Sequence, residues 1–311
     1  MAGNSSRAIY YALGANFAIA VAKGTAAFFT GSSAMLAETV HSLADCGNQG
    51  LLLLGLKQAK APPSPEYPLG YGKAIYFWSF LVAVMLFTVG GMFSLYEGIH
   101  KLQADEVGAG SSLWWAVGVL TFGIIVEGIS MRTCIQEVNK SRGERSMWRW
   151  FRESRQAELV VIFGEDLAAL LGLVFALIAV VATMVTGNPL WDAIGTIGIG
   201  ALLIVVAVFV AIEVKAMLIG QSVDPERQAQ IKQFLDGRPE IEQVLNLITL
   251  QLGNEAMVAT KARMRPARDV QAMVAEINVV EKALKQAFPE VRWSFFEPDC
   301  TDSHDAPQPL A

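Results

Sequence analysis

Long apolar stretches alternate with short polar ones through the first two thirds of the chain. Residues 8–29, 33–56, 75–96, 112–131, 159–185 and 190–213 are each span-length and mostly apolar. A helix needs roughly twenty such residues to cross a hydrocarbon core of ~30 Å. The pattern predicts six membrane-spanning helices, the first interrupted by Asn16 and Lys23. After residue 218 the spacing changes. "DPERQAQIKQFLDG" (224–237) predicts a helix stopped by Gly237. "QVLNLITLQLG" and "EAMVATKARMR" predict two strands joined at Gly253-Asn254. Residues 269–288 place Val270, Val274, Ile277, Val280 and Leu284 on one helical stripe, and 291–297 predict a third strand. The expected architecture is an all-α membrane domain of six transmembrane helices (1–218), a cytoplasmic α+β domain of order αββαβ (219–300) and a disordered tail (301–311).

Composition and charge sharpen this picture. Of 311 residues, 53% are hydrophobic and 17% charged, which is apolar-rich and charge-poor for a soluble protein. Basic residues concentrate in 57–73 and 132–155, whereas 30–32 and 186–189 carry none. The positive-inside rule then puts both termini in the cytoplasm, with a bacterial inner membrane as the expected location. The N-terminal apolar stretch lacks the features of a cleavable signal peptide. The basic loop is read as a topology determinant rather than a nucleic-acid surface, with Trp148 and Trp150 in a segment lying on the membrane. Cys46, Cys134 and Cys300 show no CxxC spacing, so no disulfide framework is indicated. No GxxxxGK[ST] loop is present, which disfavours an ATP-driven pump.

The second apolar stretch carries the chemistry. In "ETVHSLADCGNQ", Glu38, His41, Asp45 and Asn48 are spaced i, i+3, i+7, i+10 and fall on one helical face. An ionised group at mid-membrane costs about 2.5–3.5 kcal/mol, so such a stripe calls for a neutralising partner. A divalent cation fits, and imidazole with carboxylate suits zinc, cobalt, iron or nickel. One helix supplies too few ligands. The other deep acidic pair is Glu165-Asp166 in "VVIFGEDLAALLG". Adjacent helical residues diverge by about 100°, so one of the two is expected to face the second span. Asp166 is the preferred partner of His41 and Asp45. A polar network holding helices together without metal is the competing reading. Elsewhere, Lys23 is expected to pair with an acid such as Glu127, with a proton-path role as the alternative, and Asp192 to cap the sixth helix.

These residues resemble the cation diffusion facilitators, proton-coupled exporters of zinc and related metals. "GSSAMLAETVHSLADCGNQ" resembles the family's second span with its HxxxD motif. "PLGYGKA" is similar to its approach to the third span, "GEDLAALLG" to its fifth span and "LIGQSVDPE" to its join with the cytoplasmic domain. The segment 137–172 further resembles the branch that includes the ninth human zinc transporter. The resemblance implies His41, Asp45 and Asp166 as metal ligands, and a ferredoxin-like cytoplasmic dimerisation module.

Three departures qualify it. Ile162 stands where many members carry a ligand one turn before Asp166, leaving Glu165, Glu38 or water to complete the site. Glu165 is preferred, at the expense of local unwinding. Tyr67 replaces a loop histidine, and the cytoplasmic domain has no histidine before the tail. Cys300, Asp302, His304 and Asp305 are read as a solvated end.

The expected function is transport rather than enzymatic catalysis. A homodimer is expected to export a divalent metal ion, Zn2+ first among the candidates, with protons as counter-ion and Glu38, Asn48, Lys23 and Glu127 along the pathway. The zinc is cargo, not a cofactor. Two alternatives stand beside it: the same mechanism with Mn2+, Fe2+, Co2+ or Ni2+, and a metal-independent membrane scaffold.

Overall fold

The computed structural model describes residues 2–30, 33–103, 113–188 and 190–301. The chain forms two compact units. One holds 1–60 with 74–218, and the other holds 61–73 with 219–311.

The first unit is helical: α1 (Ala2–Thr30), α2 (Ser33–Ala59), α3 (Ala74–Met85), a π-helical segment (Leu86–Met92), α4 (Phe93–Gln103), α5 (Leu113–Arg142), α6 (Met147–Glu153), α7 (Ala157–Thr186) and α8 (Leu190–Ile219). Four stretches among the described residues are long and apolar enough to cross a membrane: Ala74–Gln103, Ala116–Arg142, Ala157–Thr186 and Leu190–Ile219. Helices α1 and α2, of 29 and 27 residues, have the length but are not among those four.

The helices outrun the apolar stretches that announce them. The 112–131 stretch continues to Arg142 because the backbone ladder persists after the side chains turn polar. Hydrophobic pattern marks the part suited to hydrocarbon, not the helix ends.

Helix α1 packs on α2 and α5, α2 on α3, and α7 on α5, α3 and α1. Residues of the N-terminal half of α7, from Ala157 to Ile162 and from Gly164 to Asp166, are buried on every side. Its fifth- and sixth-turn neighbours are more exposed, so the first half of α7 is the centre of the bundle. On the other flank, α8 approaches the Ala74–Gln103 rod at glycines. A methyl added to Gly91 would meet Ile204 at 2.5 Å, and one added to Gly98 would meet Ile197 at 2.6 Å.

Several local expectations change. Asp192 does not cap α8. The Asn188 side chain accepts from the Leu190 N–H at 2.9 Å, while Asp192, inside the first turn, pairs with Lys101 at 2.9 Å. The basic stretch 132–155 is the end of α5 and the short α6, and its arginines are largely engaged by the chain itself. Arg152 bonds Glu213 at 2.5 Å, Arg149 bonds Glu153 at 2.9 Å, and Arg145 bonds the Ser141 carbonyl at 3.0 Å. Trp150 is buried, whereas Trp148 is exposed and meets Phe209 edge to face.

The second unit contains α9 (Pro225–Asp236), β1 (Ile241–Leu252), β2 (Glu255–Met264), α10 (Val270–Ala287) and β3 (Val291–Pro298). The sheet order is β1-β2-β3. β1 and β2 are antiparallel in a hairpin where Leu252 pairs Glu255. β2 and β3 are parallel, which a tight turn cannot connect, and α10 makes the crossover.

Asp224 caps α9 through the Glu226 N–H, and Asp269 caps α10 through the Ala272 N–H. Ile231, Leu235, Val258, Ala262, Val280 and Leu284 meet in one core. The α10 stripe is only half used: Val280 and Leu284 are buried, but Val270 and Val274 are exposed. The three strands are too few to cover the first turns of an 18-residue helix.

The loop 61–73 belongs to this unit. Ser64 and Tyr67 exchange backbone hydrogen bonds at 3.0 and 3.1 Å, and Gly70 N–H bonds the Tyr67 carbonyl at 2.9 Å. Gly72 then lies against the hairpin tip. A methyl there would fall 2.2 Å from the Leu252 carbonyl oxygen, and one on Gly253 would fall 2.6 Å from the Gly72 oxygen.

Past β3, Asp299 holds the end of the chain. The Lys261 ammonium, with the Thr301 and Cys300 N–H groups, keeps its carboxyl down at about 2. A carboxyl held below its ordinary value stabilises the fold above that ordinary value, near pH 4, and loses this as pH falls towards 2. Protection of the Cys300 and Thr301 amides, relative to an unstructured peptide at the same pH, is expected to fall between pH 4 and pH 2; unchanged protection across that window would count against the contact. The tail positions Asp302, His304 and Asp305 lie outside the described residues.

Candidate metal centre

Helix α2 carries the polar stripe on a continuous helical backbone from Ser33 to Ala59. The side chains of Glu38 and His41 lie outside the described residues. Asp45 is half-buried, and Asn48 and Gln49 are buried. Across from them, Glu165 and Asp166 of α7 are both buried.

Glu165 is the residue that reaches α2. Its Oε1 accepts from Asn48 Nδ2 at 2.7 Å and its Oε2 from Gln49 Nε2 at 2.9 Å. Asp166 turns towards α5 instead, where Ser130 donates its hydroxyl to Oδ2 at 3.1 Å. The expectation that Glu165 needs unwinding to turn inward is wrong. Helix α7 is regular through this point, and neighbours on several sides bury two residues that diverge along its surface. Ile162, one turn before Asp166, is fully buried and offers no donor.

A ring of further polar groups surrounds these two helices. Glu127 of α5 is buried within electrostatic range of Asp166, Asp45 and Lys23. Lys23 of α1 donates to the Ser42 hydroxyl at 3.2 Å. A small cavity of about 10 Å3 adjoins Asp45 and Asn48, walled by Met85, Leu86, Val89 and Gly90 at the π-helical segment. That is room for about one water or ion. Among the described residues, no three His, Cys, Asp or Glu side chains form a complete metal cluster.

Gln49, Ser130 and Ser42 were not singled out from the sequence. Gln49 lies four residues after Asp45 on α2, and Ser130 three residues after Glu127 on α5, so helical spacing could have found both.

The arrangement is an acidic cluster buried where several long helices meet. Residues 9–219, more than half of the chain, match the family model for the cation efflux transmembrane domain. The chain belongs to the cation efflux family. This cation efflux protein is 32% identical over 256 residues to the mitochondrial proton-coupled zinc antiporter SLC30A9 of Mus musculus, covering 82% of the chain and 44% of the mouse protein. It is 33% identical over 238 residues to metal tolerance protein C4 of Arabidopsis thaliana, covering 75% of the chain and 51% of the plant protein. With the magnetosome protein MamB of Paramagnetospirillum magneticum it shares 24% identity over 286 residues, 91% of the chain and 90% of that protein. The chain spans about half the length of the antiporters and of the plant protein it matches. The four long apolar helices all lie within the matched family domain.

Proposed function

We propose that this chain is a proton-coupled antiporter that carries a divalent transition metal, Zn2+ first among them, out of the cytoplasm. The protein is a transporter and not an enzyme. The membrane domain has six spans, both termini are cytoplasmic, and two copies assemble. Exposed Val270, Val274 and Val279 on α10 support an apolar contact between copies.

One observation carries the reading. Asp45 borders the cavity on α2, and Glu165 and Asp166 of α7 and Glu127 of α5 are buried in the same helical unit. Buried carboxylates in that number are compatible with a membrane interior only when protons or a cation neutralise them. Metal ligands must be deprotonated, so cation and protons compete for the same groups. Loaded with metal at two of the carboxylates and with protons on the others, or loaded with protons alone, the cluster stays near neutral and can be occluded. Emptied of both, it strands charge. That alternative is what couples the two fluxes.

His41 and Asp45 on α2 and Asp166 on α7 are the proposed ligands, and α2 and α7 rock with their neighbours to alternate access. Ser130 positions Asp166 by its hydrogen bond, a supporting contact of the kind that orients ligands. Manganese, iron, cobalt and nickel are the second reading for the cargo. Ile162 favours it, because a site lacking a donor there leaves positions open for water around a six-coordinate ion.

Mass spectrometry of metal in the purified protein tests this. The wild type is expected to retain about one zinc-class ion per chain after mild dialysis, and His41→Ala to lose it. Equal metal in both proteins would overturn the assignment of His41.

A further inference from the structure

The amide oxygen of Asn48 is a buried acceptor without a donor. Asn48 is 3% exposed, and no hydrogen-bond partner reaches its Oδ1 among the described residues. A buried carbonyl left without a donor is unfavourable, which points to a ligand for it.

The orientation of the amide follows from its partner. Asn48 Nδ2 and Gln49 Nε2 each donate to one oxygen of Glu165, so the Asn48 end that meets Glu165 is the NH2 group and the oxygen points away. Gln49, clamped by the second oxygen of the same carboxylate, likewise has an unpartnered Oε1. Glu165 therefore spends both oxygens on amide donors. What it does in return is hold the Asn48 carbonyl in one direction. Asn48 borders the small cavity that Asp45 also borders, one helical turn away on α2.

We infer that Asn48 Oδ1 is a ligand-facing oxygen for the transported divalent cation, positioned by Glu165, which clamps helix α2 and does not itself coordinate. This rests on the proposed metal transport and names a determinant of which metal is carried. A neutral amide oxygen adds a hard donor without adding charge. It suits an ion that is already balanced by the Asp45 and Asp166 carboxylates, and it favours oxygen-seeking ions over those that prefer nitrogen or sulfur. The site is then oxygen-rich with a single imidazole, and Asn48 supplies a donor that Ile162 cannot.

The test measures binding by titration calorimetry and flux in proteoliposomes, using the full chain with Zn2+ and Mn2+ separately. Variants are Asn48→Ala, Asn48→His, Glu165→Gln and Asp45→Ala. Asn48→Ala is expected to weaken both metals, by about tenfold or more for Mn2+ and less for Zn2+. Asn48→His keeps an N–H for Glu165 but replaces oxygen with nitrogen. It is expected to move the Zn2+ to Mn2+ affinity ratio at least about tenfold towards zinc. Glu165→Gln keeps one acceptor and is expected to hold the ratio unchanged and both affinities within about tenfold, as for a supporting contact.

An unchanged ratio in Asn48→His overturns the inference and leaves Asn48 a helix-holding residue. So does a ratio change in Glu165→Gln, which would make Glu165 the ligand. Asn48→His decides the question alone if Asn48→Ala fails to assemble. Asp45→Ala reports separately on the transport reading: if it binds metal as the wild type does, that reading fails, whatever Asn48 does.

Discussion

Asp45→Ala is expected to abolish metal-driven proton flux in proteoliposomes. Asp45 is the carboxylate of α2 that borders the cavity. A dication held by two carboxylates is neutral; held by one, it carries a net positive charge into a medium where such a charge costs about 2.5–3.5 kcal/mol. That is a loss of about a hundredfold in occupancy of the occluded state. On the proposed coupling, in which both ions use the same groups, proton movement is expected to be lost with it. The check is a pH-sensitive dye trapped in vesicles, with metal added outside. Asp45→Asn, similar in shape, is expected to fail in the same way, which separates loss of charge from loss of packing. Residual flux above a tenth of wild type in both variants would remove Asp45 from the pathway.

Gly72→Ala breaks the seat of the 61–73 loop on the β1–β2 hairpin. The added methyl would lie 2.2 Å from the Leu252 carbonyl oxygen and 2.7 Å from its carbon. Both are backbone atoms of a paired strand and cannot swing aside as a side chain can. Overpacking of this sort costs about 1–3 kcal/mol. Gly253→Ala adds a second penalty, since Gly253 has φ near 65°, a left-handed conformation unfavourable for residues with a Cβ. Hydrogen exchange at the 70–73 and 252–255 amides is the readout. It should accelerate in both variants and stay unchanged in Gly237→Ala, where the nearest atom would be at ordinary contact distance of 3.4 Å. Normal protection in Gly72→Ala would mean the loop and the hairpin do not meet as described.

Much of the second unit was legible in the chain because its signals are local. Asp224 and Asp269 precede apolar helical spacing, Gly253-Asn254 separates two alternating runs, and each signal acts within a few residues. The polar stripe on α2 was legible for the same reason. What could not be read depends on neighbours distant in sequence. Whether Val270 or Val280 of one continuous stripe is covered depends on where a three-stranded sheet ends. The division of labour between Glu165 and Asp166 depends on two amides on α2 and a hydroxyl on α5, which lie 117, 116 and 36 residues away. Sequence spacing showed that the two acids diverge; it could not say which would find an amide and which a hydroxyl. The π-helical segment was read as part of an ordinary span, since its apolar residues are as hydrophobic as those around it.

That wide turn, Leu86–Met92, has a consequence for how the rod Ala74–Gln103 tolerates change. Opening the ladder from four residues to five accommodates a surplus residue without lengthening the rod. Met85 and Gly90 thereby share the wall beside Asp45, while Gly91 and Gly98 remain in phase with α8. Deleting a single residue here would close the ladder to an ordinary helix and leave the two ends of the rod in phase, whereas the same deletion elsewhere in the rod would turn one end against the other by about 100°. The segment is a vernier between two helix contacts, and it is where the rod can lose a residue without disturbing either.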